Sequence, residues 1–270
     1  MTTDNAPRFA TSKDGTRIAY YVEGEGPPLA LVYGALSDAR FWTRLASYMD
    51  GFTRYVIERR GRGQSGDAPD YHPDREAEDV VAVLEAIGGP VDVFAHSSGA
   101  VVGLAAMEAA PQLVRRAVLY EPPVMLDNGM RKMPPAEFGS QVKALIDAGD
   151  RAGAMELFYR VGPQLPEQEI QRQKQGELWK SLEPLAHTMV YDAQVPQMLN
   201  LERLSDPAWD RPTLLLYGGV SPTWVVEGVK ALAANLGSSS LVELPKQGHV
   251  AMFTAPELLA GEIKGFLRAP

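Results

Sequence analysis

The stretch VDVFAHSSGA, from Val91 to Ala100, carries a mainly apolar run, with Asp92 near its start, straight into a turn with a serine at its centre and then into a helical pattern. Such a strand-to-helix turn is tight enough to need small neighbours, and its strain holds the central hydroxyl, here Ser97, exposed at the end of the strand. A strand apolar along most of its length is buried on both faces, the mark of a parallel sheet covered by helices on either side. The rest of the chain repeats the unit. PLALVYG precedes a stretch of helical period at Asp38 to Met49, RYVIERRG precedes Asp74 to Ile87, and RRAVLYEPP follows the helix predicted at Ala100 to Ala109. Short apolar runs alternating with longer helical stretches are the signature of βαβ units.

Ahead of these units, RFATS (Arg8 to Ser12) and TRIAYYVEG (Thr16 to Gly24) flank Lys13-Asp14-Gly15, where Asp-Gly supplies the positive φ of a tight hairpin. From Val124 to about Pro207 the strand-like runs stop, and helical stretches broken by prolines take over. The alternation resumes with TLLLYGG, a helix at Val225 to Leu236, SSLVELP and a closing helix from Pro256 to Leu267. The expected organisation is an α/β core over residues 1–123 and 208–270, interrupted by a helical cap over 124–207. The 270 residues are enough to bury such a core.

A formal charge of −8 argues against a surface that tracks nucleic-acid phosphates, and the one basic cluster, RRGRG at Arg59 to Gly63, is too short to alter that. The absence of cysteine excludes disulfides and thiolate metal sites. Without an apolar run of spanning length or a leader-like N-terminus, a soluble cytoplasmic protein with no membrane partner is expected.

Ser97 has a plain alternative as a helix N-cap, a position serine favours. His249, in LPKQGHVAM shortly after the last strand-like run, stands where the chain order serine, acid, histidine places a base. An oxyanion formed by attack on a carbonyl needs backbone N–H donors, one after the nucleophile and one after the third strand. Ser98 and Ala35 supply them in this reading, although the Gly34-Ala35 turn also reads as a simple strand end.

VYGALSDARFW, ERRGRGQSGD, AHSSG, YEPP and QGHVAM together resemble the α/β-hydrolase superfamily over nearly the whole chain. The resemblance implies a mostly parallel eight-stranded sheet with an N-terminal antiparallel hairpin, a helical cap, no metal and no cofactor. It also implies that the arginines of RRGRGQSG are structural. Four positions depart from the family pattern: Tyr33 stands for His, Glu58 for Asp, Ala95 for Gly and Ser221 for Asp. The last bears on mechanism, because the carboxylate of a Ser-His-acid triad fixes the imidazole tautomer and stabilises the imidazolium. Glu121, at the end of the sixth strand, is about one strand spacing, roughly 4.8 Å, from the vacant place. It is the expected replacement, with pairing to Arg115 or an orienting role for Ser221 as alternatives.

The resemblance points to hydrolysis of an ester or related acyl compound through Ser97, His249 and Glu121. A non-hydrolytic enzyme on the same fold with His249 as general base, and a non-catalytic binding protein, stay open at this point. A small to medium apolar or aromatic substrate is expected against Tyr33, Phe41, Trp42, Met125, His187, Tyr191 and Trp224. Self-association as a homodimer is left open.

Overall fold

The computed structural model describes residues 6–68, 70–199, 201 and 211–269. The predicted boundary at 207/208 lies outside them. Eight strands form one sheet: β1 (Arg8–Thr11), β2 (Arg17–Glu23), β3 (Pro28–Val32), β4 (Thr53–Ile57), β5 (Val91–His96), β6 (Val114–Tyr120), β7 (Thr213–Gly218) and β8 (Ser239–Leu244). Their spatial order is β1-β2-β4-β3-β5-β6-β7-β8. β2 pairs antiparallel with β1 and with β4, and every later pairing is parallel. Gly15, at φ 87°, makes the hairpin turn, and the Asp14 carboxylate accepts from Thr16 N at 3.0 Å.

Alternate side chains divide between two cores because successive residues of a strand point to opposite faces. Ala30, Val32 and Leu215 face the helices Asp74–Ile87, Ser98–Ala109 and Thr223–Asn235. Leu29, Leu31, Leu214 and Leu216 face the helix Pro256–Arg268 and the segment carrying Trp42, Leu45 and Met49. That segment, expected as one helix over Asp38 to Met49, is instead a 3-10 turn at Ala39–Trp42 and one α-turn at Thr43–Ala46. Tyr48 and Met49 then donate three residues back, to Leu45 O and Ala46 O, so the tight winding continues.

Between β6 and β7 the described residues form helices and no strand, and they bury a third core of Phe138, Val142, Met155, Ile170, Trp179 and Met189. Leu36, from the loop after β3, inserts into this core.

Candidate active site

Four neighbouring parallel strands, β5 to β8, end on one side of the sheet, and each is followed by a residue of interest. After β5 the chain passes through Ser97 at φ 55° and ψ −130°, outside the regions an L-residue normally occupies, and enters the helix Ser98–Ala109. The backbone is pinned there by Ser97 N donating to Tyr120 O at 2.9 Å. Glycine at two close approaches, Gly99 after the turn and Gly34 across from it, makes the turn possible. A Cβ on Gly99 would meet Tyr33 O at 2.2 Å, and one on Gly34 would meet the Ser97 Cβ at 2.7 Å. Ala95, where the family has Gly, fits because its methyl group faces Gly103, whose own Cβ would lie 3.2 Å away.

After β6 comes Glu121, buried and itself at φ 48°. Its Oε2 lies 2.6 Å from His249 Nδ1. Its Oε1 accepts from Gly218 N at 2.7 Å and from Ser221 Oγ at 2.5 Å. Sequence posed Glu121 and Ser221 as alternatives for the histidine, and the two act in series: Ser221 holds the carboxylate that holds His249. Arg115, the alternative partner of Glu121, pairs with Asp92 instead.

His249 follows β8 on a loop fixed by two side chains of the β5 and β6 ends. His96 Nε2–H donates to His249 O at 2.8 Å, and the Tyr120 hydroxyl donates to Gly248 O. Burial holds the His96 pKa well below the usual histidine value, with the neighbouring His249 adding to the shift, so His96 is neutral. Its ring stacks on Phe41, centroids 5.2 Å apart, and lies 4.5 Å from the His249 ring. With Nδ1–H on the carboxylate, His249 keeps Nε2 as its basic nitrogen. Ser98 opens its helix, so its N–H has no intrahelical acceptor, and Gly34, the residue before Ala35, lies close against the Ser97 Cβ.

Two residues expected in the pocket are elsewhere. Tyr33 and Trp42 are 0% exposed, so neither touches a space that a water molecule could enter. Tyr33 donates to Glu58 Oε2 at 2.5 Å and accepts from Arg59 N at 3.0 Å, so two of the departures from the family pattern are partners in one buried bond. Trp42 packs on Phe94 and Phe41. Tyr33 continues the parity of Leu29 and Leu31, a signal that placed it in their core. His187 donates through Nε2 to Gly61 O at 2.9 Å, and Tyr191 stacks on Tyr71 and donates to Asp67. Both therefore fasten the inserted helices to the β4 loop. Met125 and Trp224 are half-buried near the β6 and β7 ends.

The same fastening includes a buried charge network that sequence reading reached only at its arginines. Arg59 pairs with Glu76 at 2.6 Å and Asp192 at 3.0 Å, Arg62 with Asp192 at 2.7 Å, and Arg60 with Asp79 at 2.7 Å. Asp192 also accepts from Ser98 Oγ at 3.0 Å, which ties the inserted helices to the residue after the turn. Burial raises the Asp192 pKa, yet Arg62 and Arg59 outweigh it and leave the group below the ordinary carboxylate value. Its contribution to stability is present above the unfolded carboxylate pKa and is lost as pH falls through the lower folded value. Asp192→Ala leaves two buried guanidinium groups short of a partner and is expected to cost about 3–5 kcal/mol, a fall in Tm of roughly 10 °C. Thermal unfolding checks it.

Among the described residues no group of three His, Asp or Glu side chains is arranged to hold a metal ion. A model of the alpha/beta hydrolase family matches residues 31–262. The chain belongs to that family. Over 260 residues this alpha/beta hydrolase is 23% identical to (E)-2-((N-methylformamido)methylene)succinate hydrolase of Acinetobacter baylyi, covering 92% of this chain and 93% of the relative. It is 40% identical to N-formylmaleamate deformylase of Pseudomonas putida over 109 residues, which are 37% of this chain and only 39% of the deformylase's length. A crystal structure of an alpha/beta hydrolase from Sphaerobacter thermophilus superposes with a TM-score of 0.87 at 34% identity, covering 96% of this chain and all of that one. Among the described residues no helix is long and apolar enough to cross a membrane.

Proposed function

We propose that this alpha/beta hydrolase cleaves small acyl compounds through an acyl-enzyme on Ser97. His249 Nε2 takes the Ser97 proton as Oγ attacks the acyl carbon, and Glu121 stabilises the imidazolium formed. The Ala35 and Ser98 N–H groups receive the oxyanion. When the tetrahedral intermediate collapses, the bond to the leaving group breaks and His249 returns the proton to it. Water, deprotonated by the same nitrogen, then attacks the acyl-enzyme and releases Ser97. The helices within 124–207 serve as the cap over the site, and Phe41, Met125 and Trp224 are the apolar side chains left to meet a substrate once Tyr33 and Trp42 are assigned to the core.

The observation that carries this reading is the 2.6 Å contact of His249 Nδ1 with the buried Glu121 carboxylate, at the end of the sheet where Ser97 is held at φ 55°. Two relatives support it by name, a deformylase of N-formylmaleamate and a hydrolase of (E)-2-((N-methylformamido)methylene)succinate, and the proposed substrate class therefore includes amide-like acyl groups beside esters. A serine-directed fluorophosphonate tests it. A single adduct on Ser97 is expected, absent in Ser97→Ala and formed slowly in His249→Ala. Folded protein that takes no adduct would leave Ser97 without nucleophilic character and favour a histidine-based, non-hydrolytic reaction.

A further inference from the structure

The two donors assigned to the oxyanion, the Ala35 and Ser98 N–H groups, lie on separate segments: the loop 33–39 after β3, and the first turn of the helix Ser98–Ala109. Such donors lower a barrier only when they are aimed at the oxygen before charge develops on it, so the two segments have to be held in a fixed relation. Glu58 and Arg59, consecutive residues after β4, touch both. Glu58 takes the two ends of the loop: Oε2 accepts from the Tyr33 hydroxyl at 2.5 Å and Oε1 from Ala39 N at 3.3 Å. Arg59 Nη1 donates to Ser98 Oγ at 3.1 Å and reaches Tyr33 O at 3.5 Å, so one nitrogen lies between the start of the loop and the start of the helix.

The guanidinium is fixed in turn from its other side. Its Nε and Nη2 form a two-pronged pair with the Glu76 carboxylate at 2.6 and 2.8 Å, which sets the plane of the group. Asp192 Oδ1 lies 3.0 Å from Nη1 and accepts from Ser98 Oγ at 3.0 Å, closing a triangle of Arg59, Ser98 and Asp192. Asp192 ends the helix Met189–Asp192, so the triangle joins the loop after β3, the helix after Ser97 and the inserted helices at one point. Glu76 and Asp192 already supply the counter-charge a buried arginine needs. The contacts with Tyr33 O and Ser98 Oγ are additional to that need, and they fall on the two segments that carry the proposed donors.

We infer that Arg59 is a positioning residue for the oxyanion hole, and that Asp192 makes the geometry of the hole depend on how the inserted helices are seated. Arg59 acts through Ser98 and the Tyr33 carbonyl, and a misplacement of either donor by about 1 Å costs up to about 10²-fold in rate. Lysine would keep the charge, but a single ammonium group cannot grip Glu76 with two prongs and also reach Ser98 and Tyr33. The inference rests on the serine-hydrolase reading above, because it needs an oxyanion to serve.

Ser98→Ala tests it with little risk to the fold, since the variant keeps the N–H, leaves Arg59 paired with Glu76 and Asp192, and removes only the hydroxyl of the triangle. Two substrates isolate the oxyanion: p-nitrophenyl acetate and p-nitrophenyl thionoacetate, in which C=S replaces C=O and the sulfur, a weak acceptor, gains little from the two N–H groups. Ser98→Ala is expected to lower kcat for the oxygen ester about 10-fold with KM little changed, less than the 10²- to 10³-fold cost of deleting a donor outright. The ratio of kcat/KM for the oxygen ester to that for the sulfur ester is expected to fall by about the same factor, and in Arg59→Lys by about 10- to 100-fold. A merely structural loss slows both esters alike and leaves the ratio where it was. That result in folded Ser98→Ala, with wild-type enzyme active on the oxygen ester, overturns the inference and leaves the serine hydrolase standing. Amide hydrogen exchange over residues 33–39 needs no turnover, and it is expected to quicken in both variants while β7 and β8 exchange as in wild type. If wild-type enzyme hydrolyses neither ester, quickened exchange upholds the hold of Arg59 on the loop and counts against the hydrolase, whereas unchanged exchange overturns the inference as well.

Discussion

Replacing Ser97 with alanine is expected to lower kcat for an activated ester by about 10⁶-fold, and adding His249→Ala and Glu121→Gln to that variant is expected to lower it no further. The reason is that the three side chains work on one proton. In the proposed acylation step His249 takes it from Ser97, no acyl-enzyme forms for water to attack without that step, and Glu121 acts through the imidazole it touches at 2.6 Å. Once the hydroxyl is gone, the other two have nothing to transfer, and the remaining rate comes from the backbone donors and from binding. Steady-state turnover of p-nitrophenyl esters by the single and triple variants measures this directly. Additive losses would mean that His249 and Glu121 serve some other step.

Glu121→Gln, with Ser97 and His249 intact, is expected to cost about 10³- to 10⁴-fold in kcat. The amide keeps the shape of the side chain, so Gly218 N and Ser221 Oγ retain an acceptor, but the charge that offsets the imidazolium is lost. An amide turned to put its NH₂ toward His249 would also favour the wrong tautomer. Ser221→Ala removes only one of the three bonds that fix the carboxylate and is expected to cost about 10-fold, the scale of one hydrogen bond. The difference in size between the two variants follows from their order in the chain of contacts: Glu121 touches the histidine, and Ser221 touches Glu121.

The strands were legible because parallel strands buried on both faces leave mainly apolar runs, and LALV, YVI, VDVFAH, AVLY and LLLY all fall within β3 to β7. The turn at Ser97 was legible for a similar reason, since the small residues around it answer steric demands at single positions, as Gly34 and Gly99 show. The contact of the Glu121 carboxylate with His249 could be reasoned from strand order, because neighbouring strands fix how far apart their carboxyl ends lie. Asp192 was a different matter. It sits in the inserted helices, and what it meets depends on how those helices lie across the sheet, which no local period records. A faint trace did exist for the network, because Glu76 and Asp79 fall among Ala77, Val80 and Val83 on the buried side of the helix Asp74–Ile87 and so required partners. Tyr33 and Trp42 were misplaced by composition: aromatic residues near a site invite assignment to it, whereas strand parity and the tight winding after Ala39 direct both into the core.

The central claim is that the acid of this hydrolase follows the sixth strand rather than the seventh. Side-by-side kcat values for p-nitrophenyl ester hydrolysis by Glu121→Gln and Ser221→Ala test it most directly. A loss of 10³-fold or more in the first and about 10-fold in the second is the expected result, whereas a Glu121→Gln enzyme that turns over as fast as wild type would show that His249 works without that carboxylate.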